Sequence, residues 1–241
     1  MRKLKTLLAS CALILALNTP VMSDSSNFAG PYIGLQGSTV GVGVQGSQVS
    51  NNDATSGGAL QAATGSKSYQ ANVGKTGITA GLEAGYAIPV GSMFLLDIGG
   101  SYIDGAVSLA SNSNNADSSE NVKFVVQQFY TMYAAPTLVL SDTSSLYAKF
   151  GYQEASVNVT GDVTNPGDLQ GNTYAIGTRT VLDSGIFVRA EAGYIDYDNL
   201  EAQGKGNNVT TAGKTSGIAT TTKFKADPEL AYGAISIGFR F

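Results

Sequence analysis

Six charged side chains lie in segments where apolar and small residues alternate, always on the face that also carries most of the glycines. They are Glu83, Asp97, Lys149, Arg179, Arg189 and Glu191. Three acids balance three bases, so the set can form ion pairs if buried or line a path for ions if hydrated. Each lies four to six residues from a short predicted turn, which places all six in one layer.

If these segments are the strands of an eight-stranded barrel, its interior is only wide enough for side chains to fill. We therefore expect this layer to be a closed network of ion pairs. Glu191 has Arg179 on the neighbouring segment and Arg189 two residues away on its own face. We therefore expect these three side chains to pair. The alternative is an open, charge-lined pore.

Catalytic and cofactor chemistry is not expected. The chain contains no histidine, which removes the usual general base from any Ser-His or Asp-His arrangement, and its only cysteine is Cys11. Residues Gly41 to Gly46 formally match a dinucleotide-binding fingerprint, but that motif needs a following helix, and a polar stretch follows here. We predict a glycine-rich strand end, and no catalytic residue, cofactor or metal site.

The segments that carry the six charges alternate with period two, as half-buried strands do. In the clearest, Leu82, Ala84 and Tyr86 share one face, and Glu83 and Gly85 the other. Eight such segments of about ten residues follow residue 28; the less regular first and fourth lie near Tyr32–Thr39 and Phe129–Leu140. The sequence therefore predicts an all-β fold, an eight-stranded antiparallel up-and-down transmembrane β-barrel.

The connections between these segments alternate strictly between long and short. The short ones are Pro89–Ser92, Ser141–Ser144 and Asp183–Gly185. Outer-membrane barrels have this pattern, with tight periplasmic turns and long extracellular loops. The polar stretches Ser47–Lys67 and Glu201–Lys225 are predicted to be solvated loops.

The first 23 residues differ from the rest: three cations precede an apolar run from Leu7 to Leu17. This pattern predicts a secretory signal peptide over residues 1–23, cleaved before Asp24, and a barrel domain over 24–241. Cys11 lies in a lipoprotein-like box, so acylation there is an alternative, although the apolar run continues past it. Cleavage removes three cations and lowers the net charge from −4 to −7. An acidic chain does not suggest nucleic acid as a partner.

A water-soluble barrel would place apolar residues inside and charges outside, as lipocalins do. Here the glycine-rich face carries the charges, and the opposite face carries bulky apolar and tyrosine side chains. This distribution favours lipid outside and a crowded, charged interior.

Two hairpin segments and the chain end carry a family resemblance. The stretches from Tyr130 to Leu138 and from Ser141 to Tyr152 resemble a hairpin of the OmpA-like and OmpX/Ail-like outer-membrane barrels. The opening Gly30 to Leu35 is similar to the usual first strand of that family. The C-terminal Phe239 and Phe241 resemble the signal that such proteins present to the barrel-assembly machinery.

The resemblance implies an outer-membrane protein of a Gram-negative bacterium, in contact with membrane lipid. We expect it to act without catalysis, in envelope integrity or in adhesion to a host or surface ligand through its extracellular loops. The alternative is a small porin that passes ions or small solutes through the charge-lined lumen. Planar-bilayer conductance separates the two.

Overall fold

Eight long antiparallel strands form the body of the protein in a computed structural model, which describes residues 24–50, 67–71, 77–110, 123–160, 163–203, 209–211, 214–216 and 222–241. The strands are β1 (Gly30–Ser50), β2 (Gly77–Pro89), β3 (Phe94–Ala110), β4 (Lys123–Val139), β5 (Ser144–Thr160), β6 (Leu169–Val181), β7 (Ile186–Tyr197) and β8 (Thr222–Arg240). The signal peptide predicted over residues 1–23, including Cys11, lies outside the described residues.

Each strand pairs with its sequence neighbour, and β1 also pairs with β8, so the sheet closes on itself. The closing register runs from Tyr32 opposite Arg240 to Ser50 opposite Thr222. Closure leaves no unpaired edge in the barrel wall, as a sheet in lipid requires. The predicted eight-stranded antiparallel transmembrane barrel is confirmed. Across the described part of the chain, no helix is long and apolar enough to cross a bilayer.

Several strands are longer than the sequence suggested. Strand β1 continues eleven residues beyond Thr39, to Ser50, and β4 begins at Lys123, six residues before Phe129. Described parts of the two predicted polar loops are also strand. Short strands form at Lys67–Ala71, Leu200–Gln203, Val209–Thr211 and Lys214–Ser216, and the first two pair with β1 and β8.

The loop prediction was therefore wrong in part, since Ser47 to Ser50 and Thr222 to Lys225 belong to the closing strand pair. The physical reason is that the ladder is made by backbone N–H and C=O groups, which Ser, Gln and Thr supply as well as apolar residues do. Outside lipid neither face of the ladder needs to be apolar, so the alternation that reveals a membrane strand is lost.

The outer face of the barrel carries a continuous apolar belt. Among its residues Met132 is 77% exposed, Ile235 66% and Leu35 62%, values that fit contact with lipid rather than water. On β3 the belt runs from Phe94 to Tyr102, a height of roughly 20 Å at a typical strand rise and tilt.

A belt of outward tyrosines borders the apolar surface away from the short turns: Tyr102, Tyr130, Tyr152, Tyr174 and Tyr194. Two residues beyond three of them lie exposed carboxylates, on Asp104, Glu154 and Asp196. Tyrosine favours a membrane interface and carboxylates favour water, so the hydrocarbon ends at this level. Strands β3 and β5 continue about six residues further, a rim of roughly 15 Å outside the lipid.

Candidate functional site

The lumen is the candidate functional site, because the strand pleat turns all six charged side chains into it. Five of these residues are at most 5% exposed, and the side chain of Glu191 is 6% exposed. They lie four to six residues from the short turns and together form one layer, the charge layer, defined by Glu83, Asp97, Lys149, Arg179, Arg189 and Glu191.

Glu191 on β7 is the centre of the first half of this layer. Lys149 Nζ on β5 lies 2.6 Å from Glu191 Oε2 and donates to Oε1 at 2.8 Å. The hydroxyl of Tyr147 donates to Oε2 at 2.8 Å, and that of Tyr232 donates to Oε1 at 2.7 Å. Both oxygens of the buried carboxylate are therefore satisfied, as a charge in this environment requires.

The second half of the charge layer joins two arginines to two acids. Arg179 donates to Asp97 Oδ2. Arg189 reaches Asp97 Oδ2 at 3.3 Å and Glu83 Oε2 at 3.2 Å. Asp97 thus accepts from both guanidinium groups.

The structure corrects the expected partner of Glu191. We expected it to pair with Arg179 and Arg189, but its cationic partner is Lys149. The reason is that the two arginines are register partners on adjacent strands and point across the lumen, where Asp97 and Glu83 receive them.

Inward tyrosines complete the layer. The hydroxyls of Tyr32 and Tyr133 are 2.9 Å apart. Lys149 Nζ lies 4.3 Å from the centre of the Tyr133 ring, and the Arg189 guanidinium lies 4.5 Å from that of Tyr32. Cation–π contact stabilises buried cations without requiring more carboxylates.

Six inward aromatic rings in and around the charge layer each lie over a glycine that is a register partner. The pairs are Tyr32–Gly85, Tyr133–Gly99, Tyr147–Gly177, Tyr232–Gly193, Tyr197–Gly171 and Phe187–Gly238. A Cβ atom on any of these glycines would collide with the facing aromatic residue. The glycines therefore provide the space that lets the rings fill the lumen.

An apolar cluster closes the lumen on the short-turn side of the charge layer. This short-turn cluster consists of Phe28, Tyr32, Ala87, Leu95, Val139, Val181 and Phe187. Phe28 precedes β1 and is 1% exposed, so burial of its ring stabilises the cluster by roughly 1.5–3 kcal/mol.

Residues Ser25–Asn27 form a single 3-10 turn that brings Phe28 into this position. Asp24 caps the turn by accepting from the Ser26 backbone N–H at 2.9 Å, and hydrogen bonds from Ser26 lower the pKa of the Asp24 carboxyl.

A larger apolar cluster closes the lumen on the other side. This long-loop cluster consists of Val40, Ile103, Val107, Val126, Phe129, Ala155, Val157, Leu169, Ile195, Tyr197 and Leu230. Val163, in the connection between β5 and β6, is also buried. Its neighbour Thr164 is tied to the short strand Leu200–Gln203, donating from its N–H to Gln203 O at 2.7 Å and accepting from Gln203 N–H at 2.9 Å.

Between the charge layer and the long-loop cluster lies a cavity of about 30 Å³. Lys149 and Glu191 line it on one side, and Phe129, Ile195 and Leu230 on the other. A cavity of this size holds a water molecule or two and no larger solute.

Sequence reasoning placed the six charges but missed the tyrosines that bind them and the apolar layers on either side. The sequence did contain a signal for the tyrosines. Tyr147 lies two residues before Lys149, and Tyr133 lies two residues after Thr131, so each tyrosine falls on the inward face of its strand. Phe28 and Val163 carried no such signal because neither lies in an alternating strand.

Gly41 to Gly46, which resembled a nucleotide fingerprint, lies within β1, where the strand continues to Ser50. Among the described residues, no group of three or more potential ligands is placed to hold a metal ion.

A closed antiparallel barrel with a lipid-facing apolar belt defines a transmembrane β-barrel protein. The family model for the outer membrane protein beta-barrel domain matches residues 9–213. Because that match covers most of the chain, the protein belongs to this family of outer-membrane barrels. The resemblance seen in its hairpin and chain ends is thereby confirmed. A search of curated proteins finds no significant match.

Solved structures of bacterial outer-membrane barrels are similar in fold. Ail, the attachment invasion locus protein of Yersinia pestis, is 12% identical, with 86% of this chain and 99% of Ail covered and a TM-score of 0.42. OprG of Pseudomonas aeruginosa is 11% identical and the protease OmpT of Escherichia coli 10%, each covering 88% of this chain and 97% of the other at a TM-score of 0.45.

Proposed function

We propose that this protein is a closed outer-membrane barrel that acts without catalysis, in envelope integrity or surface adhesion, through the segments that project from its long-loop end. The observation that carries the proposal is the filled lumen. A paired charge layer lies between two apolar clusters, and the cavity beside it measures only about 30 Å³.

A filled lumen leaves the outer surfaces to carry the function. The barrel wall meets lipid, and the short-turn end is compact. At the other end the strands rise past the tyrosine belt, and the long connections join them at that rim. We infer that the short turns face the periplasm, as the alternation of connection lengths favours. The rim and the long loops would then lie on the extracellular side, where a host or surface ligand can bind them.

Export and assembly are part of the same proposal. We infer that residues 1–23 are a cleaved signal peptide and that the C-terminal strand engages the barrel-assembly machinery. Phe239 and Phe241 both face outward, 42% and 72% exposed, with ring centres 5.2 Å apart. Such an exposed aromatic pair suits recognition by another protein before insertion and by lipid afterwards.

The porin is the second candidate. Its supporting observation is that six charged residues share one layer, next to a cavity that Lys149 and Glu191 line on one side. If both apolar clusters were loose in the membrane, water could reach this layer and ions could pass slowly.

Conductance across a planar bilayer tests the first proposal against the second. We expect the purified, refolded chain to give no steady openings under conditions in which a wide porin conducts. Steady openings of the monomer would overturn the closed barrel and favour the porin.

The surface role is tested by shortening the segment between Ser50 and Lys67 to a brief Gly-Ser linker. The matched control shortens nothing but replaces three polar residues of that segment with alanine. Retained compact migration on an unheated gel would show an intact barrel. We expect loss of attachment or of detergent resistance, whichever phenotype the full deletion strain shows. If a strain that carries only the shortened protein keeps the full phenotype of the natural strain, a role for this loop would be contradicted.

A further inference from the structure

The residues that close the short-turn end do not all belong to the barrel wall. Phe28 is the exception in the short-turn cluster: it comes from Asp24–Ala29, here called the N-terminal plug, which precedes β1. Every other member of that cluster lies in a wall strand. The plug can therefore leave its site without breaking a hydrogen bond of the barrel ladder.

Four hydrogen bonds attach the plug to the short turns. Ser25 N–H donates to Ser92 O at 2.9 Å, and Ser25 Oγ donates to Gly91 O at 2.7 Å, both in the β2–β3 turn. In the β4–β5 turn, Asn27 Nδ2 donates to Asp142 O and Asp24 N–H donates to Asp142 Oδ1, each at 3.4 Å. Burial of the Phe28 ring is the largest single apolar contact that holds the plug.

Arg240 ties the plug to the closing strand. Its Nη1 donates to Ala29 O at 2.9 Å and to Ser26 O at 3.2 Å. The chain turns from the plug into β1 at Gly30, whose φ of 110° is a conformation that other residues rarely adopt. Arg240 therefore holds the plug at Ala29, beside the glycine joint, and at Ser26 in the 3-10 turn, and a bound segment with a glycine joint can move as a hinge.

The long-loop cluster has no comparable freedom. Its members lie in the wall strands, so it opens only if the wall itself separates. The two closures of the lumen are therefore unequal, and the weaker one is at the short-turn end.

We propose that the N-terminal plug is an inner gate: it swings about Gly30, with Arg240 as its latch, and opens the charge layer to water from the short-turn end while the long-loop cluster stays shut. This inference rests on the closed lumen of the proposed function and adds a defined route by which one end opens. Such an opening hydrates the charge layer but gives no path through the barrel.

Thiol labelling tests the gate, because Cys11 is the only natural cysteine and can be replaced by serine. Ser145, 1% exposed, is the register partner of Arg179 and lies close to the short-turn cluster; it becomes the reporter as Ser145→Cys. The protein is refolded into phospholipid vesicles and treated with a small water-soluble methanethiosulfonate. We compare Phe28→Ala with Phe28→Leu, which keeps an apolar side chain in the site.

We expect Ser145→Cys to react slowly in the parent and in Phe28→Leu, and at least about tenfold faster in Phe28→Ala. Thr173→Cys, which faces the cavity beyond the charge layer, should stay slow in all three. Equal rates at Ser145→Cys in Phe28→Ala and Phe28→Leu would overturn the gate. A rise at both cysteines would also overturn it, since the whole wall would then have loosened.

The latch is tested in the same reporter. Arg240→Gln should accelerate labelling severalfold, and Arg240→Lys should restore slow labelling in part, because an ammonium group can still donate to the two carbonyls. An unchanged labelling rate in Arg240→Gln would show that Arg240 does not hold the plug closed. Conductance of the unmodified protein decides the proposed function separately, so failure of the gate and failure of the closed barrel are distinguishable.

Discussion

Glu191→Gln is the sharpest test of the charge layer. In the folded protein the Glu191 carboxylate neutralises Lys149 at 2.6 Å and accepts from two tyrosine hydroxyls, with the lysine and glutamate side chains 7% and 6% exposed. Glutamine keeps the shape and an acceptor oxygen but leaves the Lys149 ammonium without its counter-charge. Removing one partner of a buried pair costs about 3–5 kcal/mol, and the retained hydrogen bonds place this variant near the lower value.

Glu201→Gln is the matched control. Glu201 also pairs with a lysine, Lys225, but at 3.9 Å and with side chains 74% and 50% exposed. Exposed pairs of this kind contribute about 0–1 kcal/mol. The same chemical change should therefore cost several times more in the lumen than at the rim.

The assay is urea unfolding in lipid vesicles, with the folded fraction read from the fast-migrating band on an unheated denaturing gel, since the chain has no tryptophan. The double variant Lys149→Met/Glu191→Gln should recover part of the loss, because no buried charge is then unpaired. Equal losses in Glu191→Gln and Glu201→Gln would refute the reasoning. Unchanged stability together with new conductance would mean a hydrated layer, and the porin would replace the closed barrel.

Three further outcomes follow from the same geometry. Gly177→Ala should destabilise the barrel by about 1–3 kcal/mol in the same urea assay, because its Cβ would meet the Tyr147 ring, whereas Gly37→Ala, on the lipid face with no close neighbour, should be nearly neutral. A cysteine at exposed Asp168 should be labelled on intact cells and one at Ser184, in the β6–β7 turn, should not; the reverse would mean an inverted topology. Replacing Val163, 1% exposed, with aspartate should lower the urea midpoint, and no shift would show that burial of Val163 does not stabilise the barrel.

The sequence predicted the eight strands of the barrel wall and the inward face that carries the charges, because lipid imposes a period of two on the membrane part of the wall. It placed Glu83 and Glu191 in the lumen for that reason. It underestimated β1 and β8 where they leave the lipid, since Ser47 to Ser50 pair without alternating. Alternation of apolar and polar residues therefore reveals the part of a strand that lies in lipid and does not reveal a strand that lies in water.

The alternation of side chains between the two faces of a strand also could not identify the partner of each charge. Which side chains meet across a barrel depends on the stagger between strands and on strand tilt, and neither quantity is written in the alternation of a single strand. Arg189 shares a face with Glu191 two residues away, yet it crosses the lumen to Glu83. The apolar clusters were not predicted for a related reason. Phe129 and Tyr130 are adjacent and both aromatic, so the sequence shows no contrast there between inward and outward side chains.

The two arginines suggest why a closed barrel retains buried charges at all. Arg179 and Arg189 are direct register partners on β6 and β7, an arrangement that is repulsive in isolation. It is tolerated here because Asp97 accepts from both and Glu83 accepts from Arg189, and these acids lie on β3 and β2 across the lumen. A shift of one residue between β6 and β7 would turn one arginine toward lipid, where a cation costs about 2–4 kcal/mol. The pair is therefore stable only when the barrel has closed in one register, so the charge layer specifies the register while the apolar clusters and the lipid belt supply the stability.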